Sequence, residues 1–147
     1  MTSDYEIVRE FAASRERVYA AWTTPERFAR WFGPRIFATP ADRVVLDCRP
    51  GGKWQATLVG EDGYSLTLDG VYREVCPPER LVFTTGDPEA PGDGPASVVT
   101  VGFTDRGDVT VMTFRQRGVN TSTSHAEQSR AGWLEFFERL DEQLSRP

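Results

Sequence analysis

Hydrophobic and polar residues alternate along most of this chain, and near its end the apolar residues change to a helical spacing. From about Ser124 onward, Trp133, Phe137, Leu140 and Leu144 recur every three or four positions, which is the period of one helix face. Charged residues occupy most of the positions between them. The pattern predicts a long amphipathic helix at the end of the chain, with two large aromatic side chains on its apolar face.

The beginning of the chain predicts one strand followed by two short helices. Tyr5 to Phe11 alternates in the manner of a strand. Ser14 is suited to cap a first helix, and Thr24-Pro25-Glu26 begins a second one because proline fits the first helical position. Gly33-Pro34 ends that second helix.

Six further strands follow, separated by turns rich in glycine, proline and acidic residues. Gly70 interrupts one of them and predicts a β-bulge. The loosest segment, Gly86–Pro95, is expected to be a mobile acidic loop. The order predicts an α+β protein with a curved antiparallel sheet of about seven strands and a long terminal helix packed over it. The predicted strands are Val44–Cys48, Trp54–Val59, Tyr64–Val75, one containing Leu81 and Phe83, Val98–Thr104 and Val109–Arg115.

Composition limits the classes of function. The 147 residues fit one domain, and a formal charge of −5 argues against nucleic acid as a partner, because phosphate binding needs a cationic surface. The chain has neither a membrane-spanning apolar run nor a signal-peptide pattern at its start, so we expect a cytoplasmic protein that does not enter a membrane. Cys48 and Cys76 are expected to be free thiols. We expect no metal site and no cofactor.

Several strings along the chain resemble one known family. The chain is similar to the START-like (SRPBCC, helix-grip or Bet v-type) superfamily and, within it, to the family named for the C-terminal domain of the activator of heat shock protein 90 ATPase. That resemblance implies a cavity between the sheet and the long helix, which in related families holds lipids, polyketides, steroids or plant hormones. The strings are Arg9–Ser14, Ala21–Thr23 with Pro25-Glu26, Trp31–Pro34, Arg49–Trp54, Gly70–Glu74, Pro78–Phe83 and Gly132-Trp133.

The candidate ligand-binding residues are mainly aromatic, as the walls of ligand cavities tend to be. The alternative is that the same side chains fill a solid core. His125 could also act as a general acid or base, or it could be an outward residue in a capping box formed by Ser124 and Glu127. The full set is Trp31, Phe32, Trp54, Tyr72, Phe83, His125, Trp133 and Phe137.

Charged residues offer weaker candidates. Arg73, Arg115 and Arg117 could hold an anionic ligand or belong to a solvated face of the sheet. Asp69 and Glu74 are five residues apart, so a regular strand would point them to opposite faces unless a bulge realigned them. The sequence contains no phosphate loop, nucleophile elbow or paired-cysteine motif, and no catalytic residue is assigned.

The sequence favours a protein that binds a hydrophobic or aromatic small molecule in the cavity. The alternative is an enzyme of the polyketide cyclase or hydratase type that uses polar residues there. A chaperone-interaction module ranks lower, because the eukaryotic activator works with an additional N-terminal domain for which we expect this chain to have no room. A homodimer is left open.

Overall fold

The computed structural model of the chain describes residues 4–86, 95–118 and 123–145, except the side chains of residues 95, 96 and 123–126. The predicted loop over Gly86–Pro95 and the predicted capping box at Ser124 therefore lie largely outside the described residues. The elements are β1 (Tyr5–Phe11), α1 (Arg15–Thr23), α2 (Pro25–Phe28), β2 (Phe37–Ala38), a 3-10 turn (Ala41–Arg43), β3 (Val44–Leu46), β4 (Lys53–Gly60), β5 (Ser65–Cys76), β6 (Arg80–Gly86), β7 (Pro95–Asp105), β8 (Thr110–Gly118) and α3 (Thr123–Leu144).

The strands of the described residues form one antiparallel sheet in the order β1-β8-β7-β6-β5-β4-β2, with β3 also paired to β4. The two short helices follow β1, and the long helix ends the chain, so the predicted α+β helix-grip architecture is confirmed. The sheet has eight strands, where the alternation of residues predicted seven. The additional strand, β2, is two residues long, which is too short to show a period of two.

Both short helices begin where the local sequence predicted them, but α2 ends at Phe28 and not at Gly33 as predicted, because the chain continues as turns over residues 29–33. The Ser14 side chain accepts a hydrogen bond from the backbone N–H of Arg17 at 3.2 Å, which caps α1. Pro25 occupies the start of α2. Gly33 has a φ of +106°, a value that glycine adopts without strain, and the chain turns there toward β2.

The irregularity in β5 lies at Arg73, not at Gly70. The register with β6 shifts between Tyr72 and Glu74, whereas Gly70 pairs regularly with Trp54 on the other side. The predicted bulge at Gly70 is therefore wrong. Glycine is needed there for a different reason: a Cβ atom would lie 1.7 Å from the carbonyl oxygen of Thr84.

The main core lies between α3 and the concave face of the sheet. The predicted helix stripe is buried, and Phe136, outside that stripe, is buried as well. The end of α3 is tied to α1 because Arg17 Nη2 donates to the Leu144 carbonyl at 3.0 Å. On the other flank Arg35 forms an ion pair with Glu142. Within the described part of the chain, no helix has the length and apolarity needed to cross a bilayer.

Candidate functional site

A small cavity lies where α1, α2 and α3 meet the concave face of the sheet, and all its described walls are uncharged. Its volume is about 10 Å³. The only polar side-chain atoms on these walls belong to three tryptophans and one tyrosine. The walls are Trp22, Phe28, Phe32, Leu46, Trp54, Tyr72, Leu81, Phe83 and Trp133.

The structure brings together most of the aromatic residues that the sequence singled out. Five of them, Phe32, Trp54, Tyr72, Phe83 and Trp133, line the cavity. Two others, Trp31 and Phe137, lie behind its walls. The backbone of the eighth, His125, belongs to α3, and its side chain is outside the described residues.

Trp31 and Phe137 are fully buried in the packing behind the cavity rather than on its surface. The Trp31 indole N–H donates to the Ala21 carbonyl at 2.9 Å. The Phe137 ring packs against Phe114 with their centroids 5.2 Å apart. These two side chains therefore fill the core and do not line the cavity, which is the alternative given in the sequence analysis.

Four wall residues were not among the candidates: Trp22, Phe28, Leu46 and Leu81. A signal for three of them was present in the sequence. Trp22 and Phe28 belong to the apolar stripes of the two short helices, and Leu81 shares a strand face with Phe83. Only Leu46, at the end of a three-residue strand, had no pattern to indicate its direction.

Aromatic rings occupy most of the space beneath α3. Trp22 stacks on Trp133 with centroids 5.9 Å apart, and Phe114 approaches Trp133 to 4.8 Å. A cavity of about 10 Å³ is roughly the smallest that can hold one water molecule. The expected hollow is therefore in the expected place, but in this conformation it is too small for an organic guest.

The tryptophan N–H groups near the cavity differ in their bonding. Trp54 Nε1 donates to the Thr84 carbonyl at 2.8 Å, and Trp31 Nε1 is bonded to Ala21 as described above. Trp22 is only 2% exposed, yet its Nε1 has no hydrogen-bond partner among the described residues. The Tyr19 hydroxyl on the same helix is likewise buried without a partner there.

Two tyrosines and a thiol cluster beside the cavity. Tyr72 is hydrogen-bonded to Cys48, and burial raises the pKa of both groups. Burial raises the pKa of Tyr19 to about 12, with smaller contributions from Cys48 and Cys76. All three groups are therefore neutral near pH 7, so this cluster can donate hydrogen bonds but does not supply a general base.

A second polar feature crosses the concave face of four neighbouring strands. Tyr5 on β1 donates its hydroxyl to Gln116 on β8, and Gln116 Nε2 donates to Ser97 on β7 at 2.7 Å. Ser97 is in turn bonded to Thr85 on β6. Burial also raises the pKa of Tyr5. The polar side chains of this row hydrogen-bond to one another, and none of them ionises near neutral pH.

The charged candidates lie away from the cavity. Arg115 and Arg117 line a depression on the opposite, outward side of the sheet. The bulge at Arg73 places Asp69 and Glu74 on that same outward side, where Glu74 pairs with Arg80 at 3.5 Å. They do not form a carboxylate pair at the cavity.

The described residues offer no group of three or more metal-ligating side chains. Cys48 and Cys76 are free thiols, as the sequence predicted. The chemistry available at the cavity is therefore contact with apolar surface and hydrogen-bond donation from neutral groups.

The architecture and the cavity between the helices and the sheet define a START-like, helix-grip protein. The sequence matches the family described as activator of Hsp90 ATPase homolog 1-like protein over residues 12–145. The chain belongs to that family. No functionally curated protein matches the sequence.

Solved structures resemble the whole chain. A protein from Arthrobacter aurescens is 26% identical, with a TM-score of 0.83 over 98% of this chain and 87% of that one. The AHSA1 protein of Silicibacter pomeroyi is 25% identical, with a TM-score of 0.81 over 97% of each chain. DynU16, from the dynemicin biosynthetic locus, is 24% identical with a TM-score of 0.75, and the match covers 97% of this chain and 47% of DynU16.

Proposed function

We propose that this protein binds a small hydrophobic or aromatic molecule between α3 and the concave face of the sheet. The observation that carries the proposal is the cavity itself, whose nine described walls are all apolar or aromatic and carry no formal charge. Cavities of this composition, with a few polar atoms that orient the guest, are the common form of small-molecule sites.

The guest is neutral in this proposal. Transfer of an isolated charge into a space without a counter-charge is strongly unfavourable, and the described walls offer none. Binding then draws mainly on buried apolar surface, at about 25 cal/mol per Å² before the costs of ordering.

Ring movement accompanies binding, because the space in this conformation is about 10 Å³. Leu46 is part-buried and can shift outward at the edge of the cavity, whereas Trp133 is buried against Trp22, so its movement opens that ring stack. The form that binds is then a minor state of the free protein, and the guest increases its population.

Catalysis of the polyketide cyclase type has less support. The fold is shared with DynU16, but that likeness concerns the fold, and function depends on the site. The described titratable groups nearest the cavity, Tyr72 and Cys48, hold their protons at neutral pH because burial raises the pKa of each. A role for His125 in proton transfer stays a prediction, to be tested by the turnover of His125→Ala.

The free thiols Cys48 and Cys76 agree with a cytoplasmic location, which is part of the proposal.

The test measures binding of naphthalene to the purified protein by tryptophan fluorescence, together with native mass spectrometry of protein purified from its own host. Leu46→Phe adds a ring to a cavity wall and is expected to weaken binding by about tenfold or more, since overpacking removes the space for the guest. Val45→Phe is the matched control because Val45, the neighbour on the same strand, is 53% exposed. Equal binding by the two variants, or no binding by the wild-type protein together with no co-purified mass, would contradict the proposal.

A further inference from the structure

Among the described residues the buried indole N–H of Trp22 has no acceptor, and the Trp22 side chain forms part of the cavity wall. Trp22 is 2% exposed, so solvent does not supply the missing partner. An unmade hydrogen bond of a buried donor is unfavourable, and most such donors in folded proteins find an acceptor. The missing acceptor therefore points to a group that the described residues do not provide.

Two other buried indoles show that tight packing alone does not leave an indole N–H without an acceptor. Trp31 and Trp54 both donate to backbone carbonyls, at 2.9 and 2.8 Å. Trp54 shares the cavity with Trp22, whereas Trp31 lies behind it with its ring centroid 4.8 Å from that of Trp22. Of these three neighbouring indoles, the one without an acceptor is a wall residue.

Trp22 also occupies a central place in the aromatic core, because its ring contacts groups from α3 and from three strands. Its ring lies 6.1 Å from Phe83 on β6 and 5.9 Å from Trp133 on α3, both of which line the same cavity. A guest seated among these rings is close to the Trp22 side chain. Because Trp22 lines the cavity and its N–H has no acceptor among the described residues, we assign to this N–H the polar contact that orients a guest otherwise held by apolar surface.

We propose that Trp22 recognises the ligand through its indole N–H, and that the ligand is a neutral ring compound carrying a hydrogen-bond acceptor such as a carbonyl or hydroxyl oxygen. This inference rests on the proposed function, since it names the chemical class that the same cavity selects. A pure hydrocarbon of the same shape fills the space but leaves Trp22 unpartnered. The site thereby prefers the compound with the oxygen.

The test compares indane with 1-indanone, two compounds of similar shape that differ in one carbonyl group. In the wild-type protein 1-indanone is expected to bind about three to ten times more tightly than indane, the range of a single net hydrogen bond. Trp22→Phe removes the donor and is expected to bring the ratio close to one. Trp31→Phe is the matched control, because it changes a buried indole in the same way while its N–H is already bonded to Ala21.

A second measurement uses the wild-type protein alone and does not depend on the folding of a variant. The four tryptophans give four indole N–H signals in a nitrogen-15 correlation spectrum. The Trp22 signal is expected to move downfield on addition of 1-indanone and to move little with indane. An N–H directed at the face of a neighbouring ring, the alternative arrangement, predicts no such difference.

The outcomes separate the two proposals. Equal affinity for indane and 1-indanone, with an unmoved Trp22 signal, would overturn the role of Trp22 and leave the cavity as a binding site for hydrocarbons. Absence of binding by both compounds and by naphthalene, together with no co-purified mass, would overturn the proposed function, and the role of Trp22 with it. A tenfold preference that survives in Trp22→Phe would assign recognition to a different polar group.

Discussion

The indole N–H of Trp54 and the carbonyl oxygen of Thr84 are joined by a 2.8 Å hydrogen bond that passes over Gly70. Trp54 and Gly70 are paired residues of β4 and β5, and Thr84 belongs to β6. A Cβ atom on residue 70 would lie 1.7 Å from that oxygen and 2.5 Å from the indole nitrogen. Three strands therefore meet at a point where only a hydrogen atom fits.

Gly70→Ala is expected to destabilise the protein by about 3 kcal/mol or more, because the methyl group must displace backbone atoms of β6. Urea unfolding followed by tryptophan fluorescence measures the effect. Gly102→Ala, in β7, is the matched control because a Cβ atom there would meet nothing within 4 Å, and its effect is expected to stay within about 0.5 kcal/mol. Similar losses for the two variants would show that the close approach at Gly70 is not the cause.

Gln116→Leu is expected to lower the free energy of unfolding by about 2 kcal/mol, because it removes the two hydrogen bonds that Gln116 makes with Tyr5 and Ser97 in a buried row. Thermal unfolding monitored by circular dichroism measures the change. Arg115→Leu, at the next position and exposed on the other face of β8, should change stability little. A stabilised Gln116→Leu variant would mean that the row carries no net favourable energy.

Arg139→Met is expected to cost about 1–2 kcal/mol of stability. The Arg139 guanidinium donates to the Gly33 carbonyl at 2.6 Å and to the Arg30 carbonyl at 3.1 Å, and thereby links α3 to the turns that follow the second short helix. Methionine keeps the stem of the side chain but makes neither bond. Glu138→Gln, on the exposed neighbouring position, is the control, and an equal effect of both in urea unfolding would count against the link.

Stability is expected to fall as the pH rises from about 10 to about 12. Burial raises the pKa of Tyr19 to about 12 from the 10.0 of an unfolded chain, so the folded protein holds this proton more tightly. The contribution is fully present below pH 10 and is lost as the pH approaches 12. Tyr72 and Tyr5 shift in the same direction for the same cause.

Unfolding free energies measured every half unit of pH test this expectation. Tyr19→Phe should flatten the decline, since phenylalanine has no proton to lose. Tyr64→Phe is the control because Tyr64 is 57% exposed, and it should leave the decline unchanged. Identical curves for the wild-type protein and Tyr19→Phe would show that Tyr19 does not contribute to it.

Periodicity predicted the helices and the long strands because each exposes one face over many residues. The stripe from Trp133 to Leu144 and the alternation of Tyr5 to Phe11 both repeat often enough to be recognised. β2 consists of Phe37 and Ala38 alone, so it had no repeat to detect. The bulge at Arg73 depends on how β5 pairs with β6, and pairing is a property of two strands rather than of one sequence.

The site was predictable in composition but not in volume. Aromatic type singled out Trp54, Tyr72 and Phe83 as candidate wall residues, and all three line the cavity. Whether rings such as Trp22 and Trp133 leave a hollow depends on side-chain rotations and on distances of a few ångströms, which residue patterns do not encode. For the same reason the missing acceptor of Trp22 could be found only from three-dimensional contacts.

The aromatic rings packed beneath α3 also limit the rate at which a ligand can bind. Trp22 and Trp133 stack where an occupant would have to lie, so a molecule can arrive only as often as these rings part. The observed association rate is then expected to level off at high ligand concentration, at the frequency of that opening, rather than to rise without limit. The same packed rings are expected to slow both the association and the dissociation of the ligand. A bound ligand is then expected to stay in the cavity for longer than its affinity alone would suggest.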